Sequence, residues 1–193
     1  GTSENSKFSA YAEVTFDKKA TDALSRTYYV TDLVRFRAQI EDQAEFCALR
    51  AEHRGLARLN IEDNAANQWL LQIGSLKAAS LMYNIKGFNT NVKNKYDPDV
   101  GIPALAGRLR TGRIRFPYHC QMCRERTEWI IGEFLAYPQG ATSDLIMALW
   151  FAVLAADQFV ATPRHNVYQP DTIATSPYLA RHGITSDALE RLY

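Results

Sequence analysis

The sequence contains few cysteines. The chain has 193 residues and three of them, Cys47, Cys120 and Cys123, which is an odd and sparse set. Such a set argues against a disulfide-rich scaffold and fits a reducing compartment better. Cys120 and Cys123 form a Cys-x-x-Cys pair after His119, but a structural zinc site usually takes four ligands from two such pairs, and the sequence has no second pair. We therefore interpret the pair as small residues at the start of a helix.

The sequence also lacks a long hydrophobic run and an excess of charge of one sign. Its longest apolar run, residues 145–156, is shorter than the roughly 20 residues that a bilayer-spanning helix needs, and no signal-peptide pattern opens the chain. We expect no membrane association. The 22 Lys and Arg nearly balance the 21 Asp and Glu, leaving a formal net charge of +1. Because the total is so small, only local clustering of charge can indicate a partner.

Apolar periodicity predicts a single α/β domain. Alternating residues predict a strand over 8–17 and an antiparallel partner over 27–37, and the run 56–61 predicts a short buried strand. Helices are predicted over 40–51, from Ala65 onward, and over 102–109, 122–134 and 145–156, with weaker strands over 83–88 and 113–116. The three tryptophans fall on apolar helix faces and are expected in the core. After residue 158 prolines interrupt the pattern, so the predicted domain spans 1–158, followed by a tail over 159–193 with little structure of its own.

Two carboxylates stand out from this pattern. Glu62 follows the predicted strand 56–61, at the carboxyl end where open α/β sheets place functional groups. Asp144 begins a helix that is apolar on nearly all sides. Taken singly, Glu62 is interpreted as a solvated strand end and Asp144 as a helix-capping residue. Taken together, a strand-end acid and an acid at the start of a buried helix indicate a metal site of the RNase H-like nuclease type, because hard divalent cations bind carboxylate oxygens.

Positive charge is concentrated between residues 86 and 115. This segment carries seven Lys and Arg against two Asp, a local excess of +5: Lys86, Lys93, Lys95, Arg108, Arg110, Arg113 and Arg115, against Asp97 and Asp99. A nucleic-acid backbone would bind such a segment with release of counterions. A solvated helix and loop surface has the same composition, so charge alone does not decide between the two interpretations.

Four segments, in this order, resemble the nuclease domain of the large terminase subunit of tailed bacteriophages, the motor that packages and cuts viral DNA. They are 61–68 (IEDNAANQ), 94–102 (NKYDPDVGI), 112–117 (GRIRFP) and 137–150 (YPQGATSDLIMALW). The resemblance covers roughly residues 8 to 156. The last segment, a glycine-containing turn followed by an acid and a helix of small and apolar residues, is the most specific of the four.

The resemblance implies an RNase H-like fold, with a mixed central sheet and flanking helices, and a site for two Mg²⁺ or Mn²⁺ ions. It assigns Glu62 as the second metal-binding acid and Asp144 as the third. Many relatives have two adjacent aspartates at the third position, whereas Ser143 precedes Asp144 here. Lys95, inside the second matching segment, is the first candidate for a DNA contact, followed by Arg108, Lys93 and Arg113.

The sequence departs from the family at the first acid, which normally ends a central strand shortly before a hairpin. Residues 1–7 correspond to the loop after that acid, so the first strand and its acid are expected upstream of Gly1. Asp17 is an alternative ligand if the strand over 8–16 is the first one, although it falls in the hairpin connection. The packaging ATPase domain is likewise expected upstream in the same polypeptide, because no Gly-x-x-x-x-Gly-Lys-Ser/Thr motif occurs in the chain.

The predicted function is metal-dependent endonucleolytic cutting of double-stranded viral DNA during genome packaging, in the cytoplasm of the infected bacterium. The portal protein and the small terminase subunit are the partners that the resemblance implies for the complete motor. Two alternatives remain open at this point. One is a non-catalytic module that docks on DNA or on the portal, and the other is a different RNase H-like enzyme, such as a junction resolvase or an integrase core.

Overall fold

The computed structural model describes residues 9–17, 25–63 and 69–159 and is mixed α/β. Within these ranges the strands, in chain order, are β1 (Ser9–Phe16), β2 (Tyr28–Phe36), β3 (Leu59–Glu62), β4 (Ile85–Phe88) and β5 (Ile114–Arg115). The helices are α1 (Ile40–His53), α2 (Gly74–Met82), α3 (Val92–Lys95), α4 (Ile102–Arg110), α5 (Gln121–Ala136) and α6 (Asp144–Asp157), with a 3₁₀ turn at Leu70–Gln72. The predicted α/β class is confirmed.

The strands form two sheets. In the first, β1 pairs antiparallel with β2, as the alternating pattern predicts, and β5 adds to β2 in parallel, giving the order β1-β2-β5. The second sheet is the parallel pair β3-β4, with Glu62 opposite Phe88 at its carboxyl end. Parallel strands need a crossover connection, and α2 lies in the segment that joins β3 to β4.

The hydrophobic core has two parts. The first surrounds α6, whose buried residues include Leu145, Leu149 and Trp150, and it includes Ala12 of β1. The second surrounds α1 and includes Tyr11 of β1 together with Leu59 and Ile61 of β3. Because successive residues of a strand point to opposite faces, Tyr11 and Ala12 place the two parts of the core on opposite faces of β1.

α6 is the central helix, since its residues are apolar on nearly all sides and nine of the fourteen are buried. The indole N–H of Trp150 donates a 2.7 Å hydrogen bond to the carbonyl oxygen of Val100, which fixes the loop before α4 onto α6. The prediction of a core tryptophan is correct for Trp150. It is wrong for Trp69, whose side chain is 72% exposed, and for Trp129, whose side chain is 44% exposed.

The chain divides into two units, Gly1–Val160 and Ala161–Tyr193. The predicted tail over 159–193 lies outside the described residues except for Phe159, as does the start of the helix predicted from Ala65, so both stay predictions. Of the helices in the described ranges, none combines the length and the apolar character that crossing a membrane requires.

Candidate active site

A cavity of about 680 Å³ lies between the two sheets, and both predicted metal-binding acids line it. Its walls come mainly from β1, from the segment 56–62 that contains β3, and from the two helices α1 and α6, together with residues such as Phe36 of β2 and Leu70 of the 3₁₀ turn. Glu62 enters this lining as the last residue of β3, and Asp144 as the first residue of α6. Sequence reasoning predicted each position separately, and the structure brings the two residues to one cavity.

Glu62 is held by the β-sheet and by the loop that follows β4. Its carboxylate accepts a 2.6 Å hydrogen bond from the hydroxyl of Thr90, and its side chain is half-buried. The backbone N–H of the next residue, Asp63, bonds to the carbonyl oxygen of Phe88 at 2.9 Å, which extends the β3-β4 pairing by one residue. One oxygen of the Glu62 carboxylate is thus oriented by Thr90.

Asp144 is held by a carboxylate that the sequence did not single out. Glu133 of α5 accepts hydrogen bonds from the backbone N–H groups of Leu145 at 2.9 Å and Ile146 at 3.2 Å, and from the Thr142 hydroxyl at 3.1 Å. The first backbone N–H groups of a helix have no partner within the helix, so a side-chain acceptor stabilises them. Ser143 at the N-cap makes no side-chain capping bond. The acceptor is supplied instead by Glu133, from another helix.

The start of α6 lies at the Ser9 end of β1. Arg35 of β2 is the pairing partner of Ala10, the second residue of β1. Its guanidinium lies 3.6 Å from the carboxylate of Glu133, which in turn binds the first turn of α6. This chain of contacts places Asp144 near the beginning of β1.

The end of β3 points to the same side. α1 starts at the Ser9 end of β1, since it begins four residues after β2 and the last residue of β2 pairs with Ser9. α1 ends farther along β1, because Arg54, just after the helix, forms a 3.0 Å ion pair with Glu13. β3 follows after a short turn in which Gly55 has a φ of 57°, a conformation that favours glycine. β3 therefore runs back toward the Ser9 end of β1, antiparallel to it, and Glu62 is its final residue.

Asp17 lies at the other end of β1. The preceding residue, Phe16, contacts Phe159 just beyond the end of α6, with ring centroids 6.2 Å apart. Asp144 starts that 14-residue helix, and a helix of this length spans about 20 Å. The structure thus does not bring Asp17 to Glu62 and Asp144.

Two of the predicted DNA contacts, Lys93 and Lys95, lie on α3, directly after the loop that binds Glu62. Asn91 caps this short helix, and its side chain and that of Asn94 bond reciprocally to each other's backbone at 2.9 Å. Lys93 is exposed and Lys95 is half-buried. Because Thr90 bonds to Glu62 and the helix begins two residues later, the start of α3 lies near the Glu62 end of the cavity.

The other two predicted DNA contacts lie elsewhere. Arg108 forms a 2.8 Å ion pair with Asp157 at the end of α6, and its guanidinium lies 5.2 Å from the ring centroid of Tyr28. Its side chain is only 15% exposed and joins α4 to α6, and its contact with DNA stays a prediction. The backbone carbonyl of Arg113 accepts a 2.7 Å bond from Tyr28, which places this residue near the end of the molecule that holds Asp17.

The described residues contain one group of three metal-ligand types, and it is separate from these acids. His119, Cys120 and Cys123 offer ligand atoms within 4.8 Å of one another. Cys120 and Cys123 are joined in a disulfide, in contrast to the reduced cysteines that the composition indicated, so their sulfurs are not thiolate ligands. In the described ranges no third acid forms such a group with Glu62 and Asp144.

Sequence reasoning missed Glu133, and the only signal that could have found it is its place on α5. It lies three residues after Ile130 and one before Phe134, on the apolar side of the helix, where an unpaired carboxylate would be costly. Comparison of the chain with models of known protein families, with curated proteins and with solved structures finds no match.

Proposed function

We propose that this chain is a metal-dependent endonuclease domain of the RNase H-like type, and that it cuts double-stranded DNA in the packaging motor of a tailed bacteriophage. The observation that supports the cutting role is that Glu62 and Asp144, 82 positions apart in the sequence, line one cavity at the same end of β1. The four matching segments support the terminase assignment. The proposed setting is the cytoplasm of the infected bacterium, with the portal protein, the small terminase subunit and the upstream ATPase domain as partners.

The two acids fit the proposed Mg²⁺ or Mn²⁺ ions in their chemistry, since both cations prefer carboxylate oxygens. When bound, a pair of such ions supplies an activated water and stabilises the leaving oxygen of the phosphodiester. Glu62 would offer the carboxylate that Thr90 orients, and Asp144 a carboxylate whose backbone is fixed through Glu133. A third acid would come from outside the described residues, as the expected upstream strand implies.

The proposed DNA path passes the Glu62 end of the cavity. Lys93 and Lys95 lie on α3, which follows the Glu62-binding loop, and they can neutralise backbone phosphates there. The Arg108 guanidinium instead forms an ion pair with Asp157. Phosphate contacts of this kind position the duplex but do not read its sequence. The proposed enzyme therefore holds DNA through its backbone near the two acids, and any choice of cutting site depends on other parts of the motor.

Cleavage of supercoiled plasmid in Mn²⁺ or Mg²⁺, with EDTA as the negative control, tests this function. We expect Asp144→Asn and Glu62→Gln to lower the cleavage rate more than about 100-fold, because loss of a metal ligand costs at least as much as loss of the groups that orient ligands. Asp42→Asn, an exposed acid in the first turn of α1, is the matched control and should leave the rate unchanged. Cleavage that persists in both active-site variants would overturn the assignment.

The expected upstream acid adds a second arm to this test. If that acid is a required ligand, the chain that begins at Gly1 will not cut, while a longer chain with its natural upstream residues will. Calorimetric titration of both forms with MnCl₂ measures metal binding without relying on cleavage. Metal binding by the longer chain that Asp144→Asn removes supports the proposal even where cutting is slow.

A non-catalytic docking module is the second candidate, because Glu62 and Asp144 line one cavity but the described residues place no third acid in a ligand group with them. It predicts DNA affinity that depends on Lys93 and Lys95, with no metal binding by either form of the chain. A junction resolvase is the third candidate, and it would cut branched DNA faster than linear duplex. Comparing the cleavage rates of a four-way junction and a linear duplex of the same sequence separates it from the packaging nuclease.

A further inference from the structure

Three side chains of metal-ligand type meet at the start of α5, and none of them lines the cavity that holds Glu62 and Asp144. His119, Cys120 and Cys123 offer one ligand atom each, and these atoms lie within 4.8 Å of one another. His119 is exposed and both cysteines are half-buried, so a metal ion and a reductant can reach the group from solvent. The proposed nuclease activity uses none of these three residues.

The distance between two of these atoms matches a tetrahedral zinc site. Nε2 of His119 lies 3.6 Å from Sγ of Cys123, four residues further along the chain. With Zn–S bonds of about 2.3 Å and Zn–N bonds of about 2.0–2.1 Å, a sulfur and a nitrogen ligand lie about 3.5–3.6 Å apart, and two sulfurs about 3.8 Å apart. The imidazole is therefore already at ligand distance from one sulfur. The sulfur of Cys120 reaches its own distance only when its bond to Cys123 is reduced.

The start of α5 favours the thiolate form that a metal ion requires. Cys120 is the N-cap of this 16-residue helix, and its sulfur accepts a 3.1 Å hydrogen bond from the backbone N–H of Cys123. The N-terminus of a helix carries partial positive charge, which stabilises a cysteine thiolate placed there. Since the thiolate and not the thiol binds metal, the helix prepares Cys120 to act as a ligand once it is reduced.

The segment before α5 is fixed to the helix independently of the disulfide. The hydroxyl of the buried Thr127 donates a 3.0 Å hydrogen bond to the carbonyl oxygen of Pro117. Nε of Arg124 donates a 3.3 Å bond to the carbonyl oxygen of Tyr118, and its guanidinium lies 5.5 Å from the ring centroid of the same tyrosine. Because these contacts hold the two residues before His119, we expect the imidazole to keep its position when the disulfide is reduced.

We propose that His119, Cys120 and Cys123 bind one Zn²⁺ ion when the disulfide is reduced, so that the start of α5 is a metal site controlled by thiol oxidation. Among the described residues no further His, Cys or acid joins the group, so water or an external ligand takes the fourth position. A closed structural site needs four protein ligands, which is why the sequence, with a single Cys-x-x-Cys pair, did not indicate zinc. Thiolate and imidazole suit Zn²⁺, whereas Mg²⁺ and Mn²⁺ prefer oxygen ligands. The site therefore differs in its metal from the two acids of the cavity.

The conversion between the two forms balances with a dithiol as the reductant. A thiolate of the dithiol attacks one sulfur of the disulfide, and the other cysteine leaves as a thiolate. The second thiol of the reductant then displaces the first cysteine, so the dithiol becomes a disulfide and two electrons and two protons pass to the cysteine pair. Zn²⁺ binds the two thiolates and the neutral imidazole, and the two thiol protons are released to solvent. A small disulfide as oxidant reverses the conversion, takes up two electrons and two protons, and expels the ion.

Cobalt titration of the chain before and after reduction tests this site, because Co²⁺ bound tetrahedrally to thiolates absorbs strongly in the visible and near-ultraviolet ranges. The chain is reduced with dithiothreitol, the reductant is removed in the absence of oxygen, and CoCl₂ is added. We expect about one equivalent of Co²⁺ to produce these bands in the reduced chain, Zn²⁺ to displace it, and the oxidised chain to give no bands. Oxidised glutathione added to the zinc form should release the ion to a chelating dye. A reduced chain without thiolate bands would overturn the proposal.

Substitutions identify the ligands. Cys120→Ser, Cys123→Ser and His119→Ala should each lower the zinc affinity of the reduced chain more than about 100-fold, since each removes a ligand. Cys47→Ser, which changes the third cysteine, and His53→Ala, at the exposed end of α1, are the matched controls and should leave the affinity unchanged. Binding that survives the loss of both Cys120 and Cys123 would also overturn the proposal.

The result is independent of the proposed nuclease activity, because the titration requires neither DNA nor the acids of the cavity. Asp144→Asn should therefore bind zinc as the wild-type chain does. The comparison of the oxidised and the reduced wild-type chain needs no substitution, so it does not depend on whether a variant folds. The zinc site can thus be confirmed while the nuclease function fails, or the reverse.

Discussion

The carboxylate of Glu133 lies 2.9 Å from the backbone nitrogen of Leu145, so the first turn of α6 is capped by a residue from α5. Glu133 is only 6% exposed, and the same carboxylate oxygen accepts a second bond from Ile146. Charged acceptors make stronger hydrogen bonds to backbone N–H groups than neutral ones do. The contact fixes the backbone that carries Asp144 from outside the helix.

Glu133→Ala should therefore destabilise the fold by about 2–3 kcal/mol, because it leaves two buried N–H groups without an acceptor. Urea unfolding followed by circular dichroism measures this change. Glu128→Ala, on the exposed side of α5, is the control and should change stability by less than about 0.5 kcal/mol. An effect of Glu133→Ala no larger than that of the control would contradict the capping role.

Gly101 is predicted to tolerate no side chain, for a steric reason. A Cβ atom built on Gly101 would lie 2.5 Å from the carbonyl oxygen of Lys95 and 2.6 Å from that of Asp97. Gly101→Ala must push this turn apart, so we expect a loss of about 1–3 kcal/mol and weaker DNA binding through a displaced Lys95. Unfolding curves and a fluorescence anisotropy titration with duplex DNA measure the two effects.

Gly107→Ala is the matched control for this substitution. Gly107 lies inside α4, and a Cβ atom at that position meets nothing within 4 Å. Replacing a helical glycine with alanine stabilises by roughly 0.5–1 kcal/mol. We expect the two substitutions to change the free energy of unfolding with opposite signs. Equal destabilisation by both would show that the contacts around Gly101 do not cause its loss of stability.

Lys95 and Arg108 should differ in their effect on the salt dependence of DNA binding. Lys95→Ala should lower the affinity and reduce the slope of log K against log salt by about 1, since each phosphate contact releases about one counterion. Arg108→Ala should leave the slope unchanged and lower the stability instead, because it removes the partner of Asp157. Lys77→Ala, on the exposed side of α2, is the control with the same change of charge.

Cys47 gives the stability a dependence on alkaline pH. Burial raises the pKa of its thiol from 9.0 to about 12. Between these two values the unfolded chain has lost the proton and the folded chain keeps it, so the free energy of unfolding falls as pH rises. Below pH 9 both states are protonated and this contribution to stability is fully present.

Urea midpoints measured from pH 8 to pH 11 test this dependence, with Cys47→Ala as the reference. Tyr11 and Tyr28 also have raised pKa values, chiefly because of burial, and both would add a fall of the same sign above pH 10. The difference between the wild-type chain and Cys47→Ala isolates the thiol. A constant difference across this range would contradict the raised pKa of Cys47.

The secondary structure and the ends of the elements could be predicted because they depend on local pattern. An all-round apolar run predicts a buried helix, and α6 is one; a short apolar run followed by an acid predicts a strand end, and Glu62 is the last residue of β3. The same local signals indicated that Glu62 and Asp144 are special. That they share a cavity follows from the direction of β3 relative to β1, which periodicity does not encode.

The features that could not be predicted depend on contacts between distant segments. Arg108 has the same local sequence context as a surface cation, and only its contact with Asp157, 49 positions away, gives it a structural role. Glu133 could not be identified as a helix cap from the sequence, because it lies on α5 and caps a different helix, α6. The cavity between β1 and β3 has no local signature at all, since its walls are formed by residues from several strands and helices that are distant in the sequence.

The cavity between β1 and β3 has a consequence for the behaviour of the protein in concentrated solution. Among the described residues, β1 and β3 each pair with another strand on one side only, and an open edge that faces the cavity can accept a strand from a neighbouring copy. Self-association of the protein should then rise with protein concentration, through pairing of extended segments between copies.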